Sequence, residues 1–366
     1  MYKIKNPVGF TIRMLLALWL VFMAFHLMLT GKIFLWSFFG SVPTFFFVII
    51  PSGFLAYELL QKKKNVLALF MAAISLVMGF TQFDINFSRQ KSSNAVSDIH
   101  PPEEYKEIKI FNWNTECWDQ NKDKDELYSF LKKQDADIYI LQEYLYGSIN
   151  PESPGIDKSR LFNICSVVPG FPLTYLEIDD TERMKEEFPG YYLAVNKQFV
   201  IISRFPIQDS HTDYSEQYSV HDIEIYGRAV RFFNVHMLLH IEPVSPFTRY
   251  FYETMKRRYT ARRLGFENLR RDIEKTGMPY FVSGDFNSTK AMGVMDMITE
   301  DNIDAVKYSD ELIPLTFDFN GLKFWRFDYA FVARDNINIR IKEYKSIYHE
   351  GLSDHDGLKI VLRLNI

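Results

Sequence analysis

The sequence predicts an α/β protein with a two-sheet core flanked by helices, preceded by about three transmembrane helices. Three observations carry this. Long apolar stretches crowd the first ninety residues, seven short runs of strand character bounded by turn residues fill the remainder, and one long helical pattern interrupts those runs.

The apolar stretches are Met14–Thr30, Ile33–Leu60 (interrupted by Pro43, Pro51 and Gly53) and Val66–Phe83, the last without a charged residue. Each is long enough to cross a bilayer. A core helix would show a polar face at 3.6-residue spacing, whereas "VLALFMAAISLVMGF" is apolar all round, as a lipid-facing helix is. A cleaved signal peptide is the alternative for the first stretch, but no small-residue cleavage site follows it, so an anchor is expected. His26, inside that stretch, is expected to pack within a small bundle. Lys3, Lys5 and Arg13 precede the first span, and Lys62, Lys63 and Lys64 separate the second from the third. Basic flanks stay inside, so everything after Phe83 is expected outside the cytoplasm. A re-entrant middle stretch would invert that.

Residues 1–90 are therefore expected as the membrane part, 91–105 as a polar linker containing Pro101-Pro102, and 106–366 as the soluble domain. Residues 91–366 carry 34 Lys and Arg against 44 Asp and Glu, a net of −10. An acidic domain lacks the basic footprint of a protein that grips long nucleic acid. Cys117 and Cys165 fit no metal spacing and build no disulfide framework.

In the soluble part "EIKIFNWNTECW" reads as a strand with Ile108, Ile110, Asn112, Asn114 and Glu116 on one face. A helix over "DKDELYSFLKKQ" and a buried strand, "ADIYILQEY", ending at Glu143, come next. Residues 144–192 are rich in Pro, Gly and charge and read as long loops over a site. Further strands are "VNKQFVIISRFPI", "GRAVRFFNVHMLL", "PYFVSGDFN", "FWRFDYAFVA" and "GLKIVLRL". The long helix spans about Thr248 to Lys275, stopped by Gly277 and Pro279, with Met255, Tyr259, Phe266, Leu269 and Ile273 as its apolar stripe. Its basic run "KRRYTARR" reads as a solvated face.

At the apparent strand ends stand Asn114, Glu116, Glu143, His236, Asp285, Asn287, Asp328 and the Asp354-His355 pair. All are carboxylates, amides and imidazoles. Taken singly, each is more often a cap, a turn residue or a satisfied core group. Together they suit a hard cation, Mg²⁺ above all, held by oxygens, with imidazoles for phosphate. Nothing in the chain builds a serine elbow, a cysteine nucleophile or a glycine-rich phosphate loop.

In the order "FNWNTE", "ILQE", "ISRFPI", "FNVHM", "SGDFN", "FDYAFV", "SDHDGL", the chain resembles the endonuclease/exonuclease/phosphatase superfamily over residues 106–362. That superfamily of metal-dependent phosphoesterases includes deoxyribonucleases, neutral sphingomyelinases and inositol polyphosphate phosphatases. The resemblance implies a four-layered α/β sandwich, two mainly antiparallel sheets flanked by helices. By the same resemblance Glu143 is the principal metal ligand, with Asn114, Asp354 and Glu116 in its network; Glu116 stands where relatives often carry Asp. Asp285 would deprotonate the attacking water, Asn287 would hold it or the phosphate, and His355, fixed by Asp328, would bind the phosphate. His236 matches the histidine that assists the leaving group. The expected cofactor is Mg²⁺, with Mn²⁺ or Ca²⁺ as alternatives. The expected substrate is a phosphoester: a lipid head group, a small phosphoester, or nucleic acid in an extracytoplasmic nuclease. A catalytically inactive module binding a membrane or a partner is the third possibility.

Overall fold

A computed structural model describes residues 6–87, 105–118, 124–146, 161–163, 174–177, 179–241, 245–335 and 338–365. The chain forms two compact units: residues 1–85 with 288–296, and residues 86–287 with 297–366. The segment expected as a linker, and Cys165, lie almost wholly or wholly outside the described residues.

In the first unit Asn6 caps the helix Pro7–Leu29 by accepting from the Gly9 amide, with Pro7 in the first turn, where its missing N–H costs nothing. Among the described residues this is the one helix long and apolar enough to cross a membrane, and a helix so near the N-terminus fits an anchor or a signal sequence. The expectation of three spans is thereby corrected. The middle stretch breaks after Gly40: a single helical turn there gives way to Pro43 and a new helix, Phe46–Leu60, of 15 residues. The third, Val66–Gln82, has 17. At 1.5 Å per residue these reach roughly 22 and 25 Å, short of a hydrocarbon core of about 30 Å. His26 is buried as expected, its Nδ1 accepting from Trp36 Nε1 at 3.1 Å. Residues 288–296 belong to this unit through Thr289 Oγ1, which donates to the Gly40 carbonyl, and Ala291, whose carbonyl accepts from Thr30 Oγ1.

The second unit is built on two six-stranded sheets. The first runs, in spatial order, 339–347, 357–365, 105–114, 138–142, 199–203 and 192–196; the second runs 302–304, 328–333, 280–285, 228–236, 218–225 and 207–212. Each sheet contains one parallel pair, which needs a long crossover. The helix Lys124–Lys133 joins Tyr105–Asn114 to Ile138–Gln142, and the helix Arg249–Lys275 joins Arg228–His236 to Tyr280–Asp285. Every other pairing in these two sheets is antiparallel.

Alternation decides which side chains meet. Ile108, Ile110, Ile138, Ile140 and Ile201 from one sheet pack with Ile223, Phe232, Phe281 and Val332 from the other in a common inner core. The opposite faces are also buried, which is why these strands read as nearly continuous apolar runs. Phe111, Trp113, Tyr139 and Leu141 pack under Leu127, Phe130 and Leu131 of the first crossover helix and Met184 of the helix Thr181–Glu187. The long helix meets the second sheet through Phe266 on Phe286, 6.0 Å between rings, and Gln217 Nε2 donating to the Ala261 carbonyl. Helix, sheet, sheet and helix give the four layers expected.

Two expectations fail locally. Residues 144–192, read as loops, carry strands 145–146, 161–163 and 174–177 in a small sheet, and the helix Thr181–Glu187. The basic run of the long helix is a solvated face only in part: Lys256, Arg257 and Arg263 are exposed, but Arg258 and Arg262 are 1% and 6% exposed.

Candidate active site

Asn114, Glu143, His236 and Asp285 stand at or just past the carboxyl ends of the two parallel pairs, where open α/β sheets leave a crevice. Within the second sheet the register sets His236 beside Asp285 and Asp285 beside Asp328. Three residues from three strands thus lie in one row. Close approach there depends on Gly284 (φ +152°), where a Cβ would sit 1.9 Å from the Val235 carbonyl oxygen.

Asn114 links the two sheets. Its Nδ2 donates to Glu143 Oε1 and to Asp285 Oδ2, both at 3.1 Å, while its Oδ1 accepts from the Glu116 amide at 3.0 Å. Four non-glycine residues around it, Glu116, Cys117, Glu143 and Asn287, hold φ between +46° and +61°. Backbone so placed is costly and persists where the surroundings over-determine it, commonly at functional sites. Glu143 Oε2 accepts from the Cys117 amide at 2.9 Å and lies 3.3 Å from the Cys117 thiol. Burial alone would raise the Glu143 carboxyl, but the charges of His236 and His355 and the bonds from Asn114 and Cys117 together hold it below its ordinary range.

Asp285 Oδ1 accepts from the Asn287 amide at 2.7 Å and Oδ2 from Asn287 Nδ2 at 3.0 Å. Burial, assisted by the negative charges of Asp328 and Glu143 against the pull of His355, pushes its carboxyl up to about 8. Asn287 Nδ2 also donates to the Met237 carbonyl, and its own carbonyl accepts from Arg262 Nη2 at 2.9 Å. His355 Nδ1 lies 2.8 Å from Asp328 Oδ2, with both side chains at most 5% exposed. Burial disfavours a charged ring there, yet Asp328, Asp285 and Asp354 outweigh it and hold the imidazole well above its ordinary range. His355 is therefore an imidazolium at neutral pH. Its Nε2 is 3.7 Å from Asp285 Oδ2 and 3.8 Å from Asp354 Oδ1, too far to bond either, which leaves that N–H for another oxygen. Trp113 Nε1 and Ser353 Oγ fix the backbone of His355.

His236 Nε2 lies 3.4 Å from Glu143 Oε1 and 3.8 Å from Asp285 Oδ2, and its Nδ1 is 2.6 Å from Gln198 Oε1. Eight of the nine residues read from the sequence therefore form one chain of contacts of 3.8 Å or less. Glu116 meets the cluster through its backbone amide: the strand ends at Asn114, the chain turns left-handed, and the Glu116 side chain is exposed. It acts on Asp354 by charge, and burial with the charges of Glu143 and Glu116 raises Asp354 to about 6 despite the opposing pull of His355.

Carboxylate and amide oxygens packed this closely suit a hard divalent cation, because the buried acids repel one another and a bound cation relieves them where otherwise a proton must. Ligand atoms of Asp285, Asp328 and His355 fall within 4.8 Å of one another. His355 Nδ1 engages Asp328 Oδ2, while Asp328 Oδ1 is buried without a hydrogen-bond partner among the described residues, so the oxygens that could take a cation are that one and those of Glu143, Asp354 and their neighbours.

Gln198, Cys117 and Arg262 were not legible as site residues. Nothing in "NKQFV" marks its Gln as buried. Arg262 left a signal in the helical spacing, since positions 255, 258, 262, 266, 269 and 273 form one stripe that passes through both buried arginines.

Among solved structures, an endonuclease/exonuclease/phosphatase from Bacteroides vulgatus is 17% identical, with a TM-score of 0.47 over 71% of this chain and 99% of its own. A family protein from Leptotrichia buccalis is likewise 17% identical, TM-score 0.45, over 69% of this chain and 98% of its own. A 3′ phosphatase from Neisseria bound to a product DNA hairpin is 15% identical, TM-score 0.44, over 69% and 98%. No curated protein matches the chain. The profile of one family matches residues 111–355, the span from the first strand through His355, and the chain belongs to that family, the Endonuclease/Exonuclease/phosphatase family.

Proposed function

We propose that the chain is a membrane-anchored, divalent-cation-dependent phosphoesterase that hydrolyses a P–O bond. The observation that carries this is the pairing, in one buried cluster, of an Asn114–Glu143–Asp285 oxygen set with the His355–Asp328 couple. Glu143, Asn114 and Asp354 would hold the cation, Mg²⁺ with Mn²⁺ or Ca²⁺ as alternatives, and Glu116 would stand at its margin. When bound, the ion supplies Lewis-acid charge at the phosphorus.

The residues divide the remaining work. Asp285, whose raised carboxyl would be brought back to its ionised form by the positive charge of a bound cation, accepts a proton as the water oxygen forms its bond to phosphorus, and Asn287 holds Asp285 and the water in line. His355 donates its Nε2–H to a non-bridging phosphate oxygen as negative charge grows there. Burial keeps His236 neutral, with Nε2 unprotonated, until the proton taken by Asp285 passes to Nε2, 3.8 Å away; from there it goes to the leaving oxygen, which takes the electron pair of the broken P–O bond, and both side chains end as they began.

The helix Pro7–Leu29 would be the anchor. One crossing, like three, would carry the rest of the chain away from the basic N-terminal flank, so the catalytic unit would lie outside the cytoplasm. A membrane anchor and a domain of net charge −10 favour a lipid head group or small phosphoester over long nucleic acid. The test is a panel on the full chain: release of phosphate or phosphocholine from lipids against cleavage of single- and double-stranded nucleic acid, with and without chelator. Lipid hydrolysis lost on chelation, and lost again in Asp285→Ala and His355→Ala, is the expected result. Nucleic-acid cleavage alone would move the assignment to an extracytoplasmic nuclease. Silence toward every ester, or undiminished rates in both variants, would overturn the proposal.

A further inference from the structure

Gln198 lies in the two-residue turn between the strands Tyr192–Asn196 and Phe199–Ser203, a place where side chains ordinarily reach solvent. Here it is 1% exposed. Its backbone carbonyl accepts from the Tyr144 amide at 3.0 Å, which ties the turn to the residue after Glu143. Its side chain makes two bonds that settle its orientation. Nε2 faces the Glu216 carbonyl at 3.2 Å, and a carbonyl can only accept, so the amide nitrogen belongs there. The amide oxygen must then be the atom 2.6 Å from His236 Nδ1.

An amide oxygen likewise only accepts, so Nδ1 is the nitrogen that carries the fixed proton. Nε2 is left as the exchangeable nitrogen, and it is the one aimed at Glu143 and Asp285. Resting on the role given to His236 above, we propose that Gln198 is the positioning residue for His236: it fixes the ring plane and the tautomer, so that Nε2 alone exchanges a proton with the leaving oxygen. The two imidazoles of the site then differ by their partners. His355 faces a carboxylate, which keeps the ring charged; His236 faces a neutral amide, which orients the ring without holding its proton.

The tautomer can be read without any variant. Nitrogen-15 correlation spectra of the full chain, labelled at histidine and taken in detergent, should show His236 with a protonated Nδ1 and a pyridine-like Nε2 in the neutral ring. A proton on Nε2 and a bare Nδ1 would overturn the assignment. Kinetics supply a second arm, with p-nitrophenyl phosphocholine and glycerophosphocholine as probes that differ in whether the departing oxygen needs a proton. Gln198→Met keeps the length of the side chain and removes both bonds. Its expected effect is a loss in kcat of roughly 10- to 100-fold on the alkyl ester, a part of the ~10²–10⁴-fold that general acid catalysis contributes, with KM little changed and the aryl ester nearly spared. His236→Ala should show the same pattern, and Gln198→Met should add nothing to it. Equal losses on both esters, or additive losses in the double variant, would mean a merely structural Gln198 and would sink this proposal while leaving His236 its role. No leaving-group dependence in His236→Ala would overturn that role, and this inference with it.

Discussion

Replacing Asp328 by Asn tests the site where its electrostatics are strongest. The substitution keeps the shape of the side chain and a carbonyl that can accept from His355 Nδ1, but removes the charge that lies 2.8 Å from the ring. Both side chains are at most 5% exposed, so water cannot stand in for the lost partner. Breaking a buried pair by removing one member costs ~3–5 kcal/mol, and the retained acceptor places this case at the low end. At ~1.4 kcal/mol per tenfold, a cost of that size borne by the transition state corresponds to a fall in kcat of roughly 10²–10³. The backbone amides of Phe327 and Asp328 are bonded to Thr316 Oγ1, so the strand end itself should stay in place. The assay is steady-state hydrolysis of bis(p-nitrophenyl) phosphate by the full chain in detergent, alongside a thermal melt to establish folding. A folded Asp328→Asn protein with kcat within threefold of the parent would show that Asp328 does not hold His355 in its charged form, and the division of roles between the two histidines would fall.

Two other substitutions test the packing. Gly284→Ala should cost ~3 kcal/mol or more and abolish activity, because a Cβ 1.9 Å from the Val235 carbonyl must drive apart the strands that set His236 beside Asp285. Gly227→Ala, at φ +81° with nothing within 4 Å of the new atom, should cost only about 1 kcal/mol, and denaturant melts of the pair that came out equal would refute the steric argument. Away from the site, burial depresses His221, held between Ser210 and Ser219 hydroxyls, to about 3. Its stabilising effect is complete above the unfolded value near 6.5 and is lost as pH falls toward 3, because the unfolded chain then binds the proton that the fold refuses. Between pH 6 and 4 the parent should lose up to ~1.4 kcal/mol per pH unit more than His221→Gln, and parallel stability curves for the two would contradict this.

Much of the site could be read one-dimensionally because strands impose a period of two. Asp285 and Asn287 come at the end of an apolar run, as do Asn114 and Glu143, and a polar residue at the end of a buried strand has few places to go. The same rule failed at Glu116, where left-handed backbone at Glu116 and Cys117 ends the alternation. It could not reach Gln198, a turn residue whose burial depends on Tyr144, Glu216 and His236 arriving from elsewhere. The charge of Arg262 points to solvent, but its place in the helical stripe takes it inward. Its guanidinium is buried against the Asn287 carbonyl.

The amino-acid order by itself determined a two-sheet core flanked by helices, the apolar N-terminal region and the identity of the polar strand ends, since each arises from local periodicity and composition. Tertiary structure decided what those ends do to one another. Asn114 and Asp285 are 171 positions apart, and Asp328 and His355 are 27 apart, so their coupling exists only once two sheets are stacked and their registers fixed. Distance and desolvation, which set the charge of His355 and the tautomer of His236, are properties of that assembly and of no single segment.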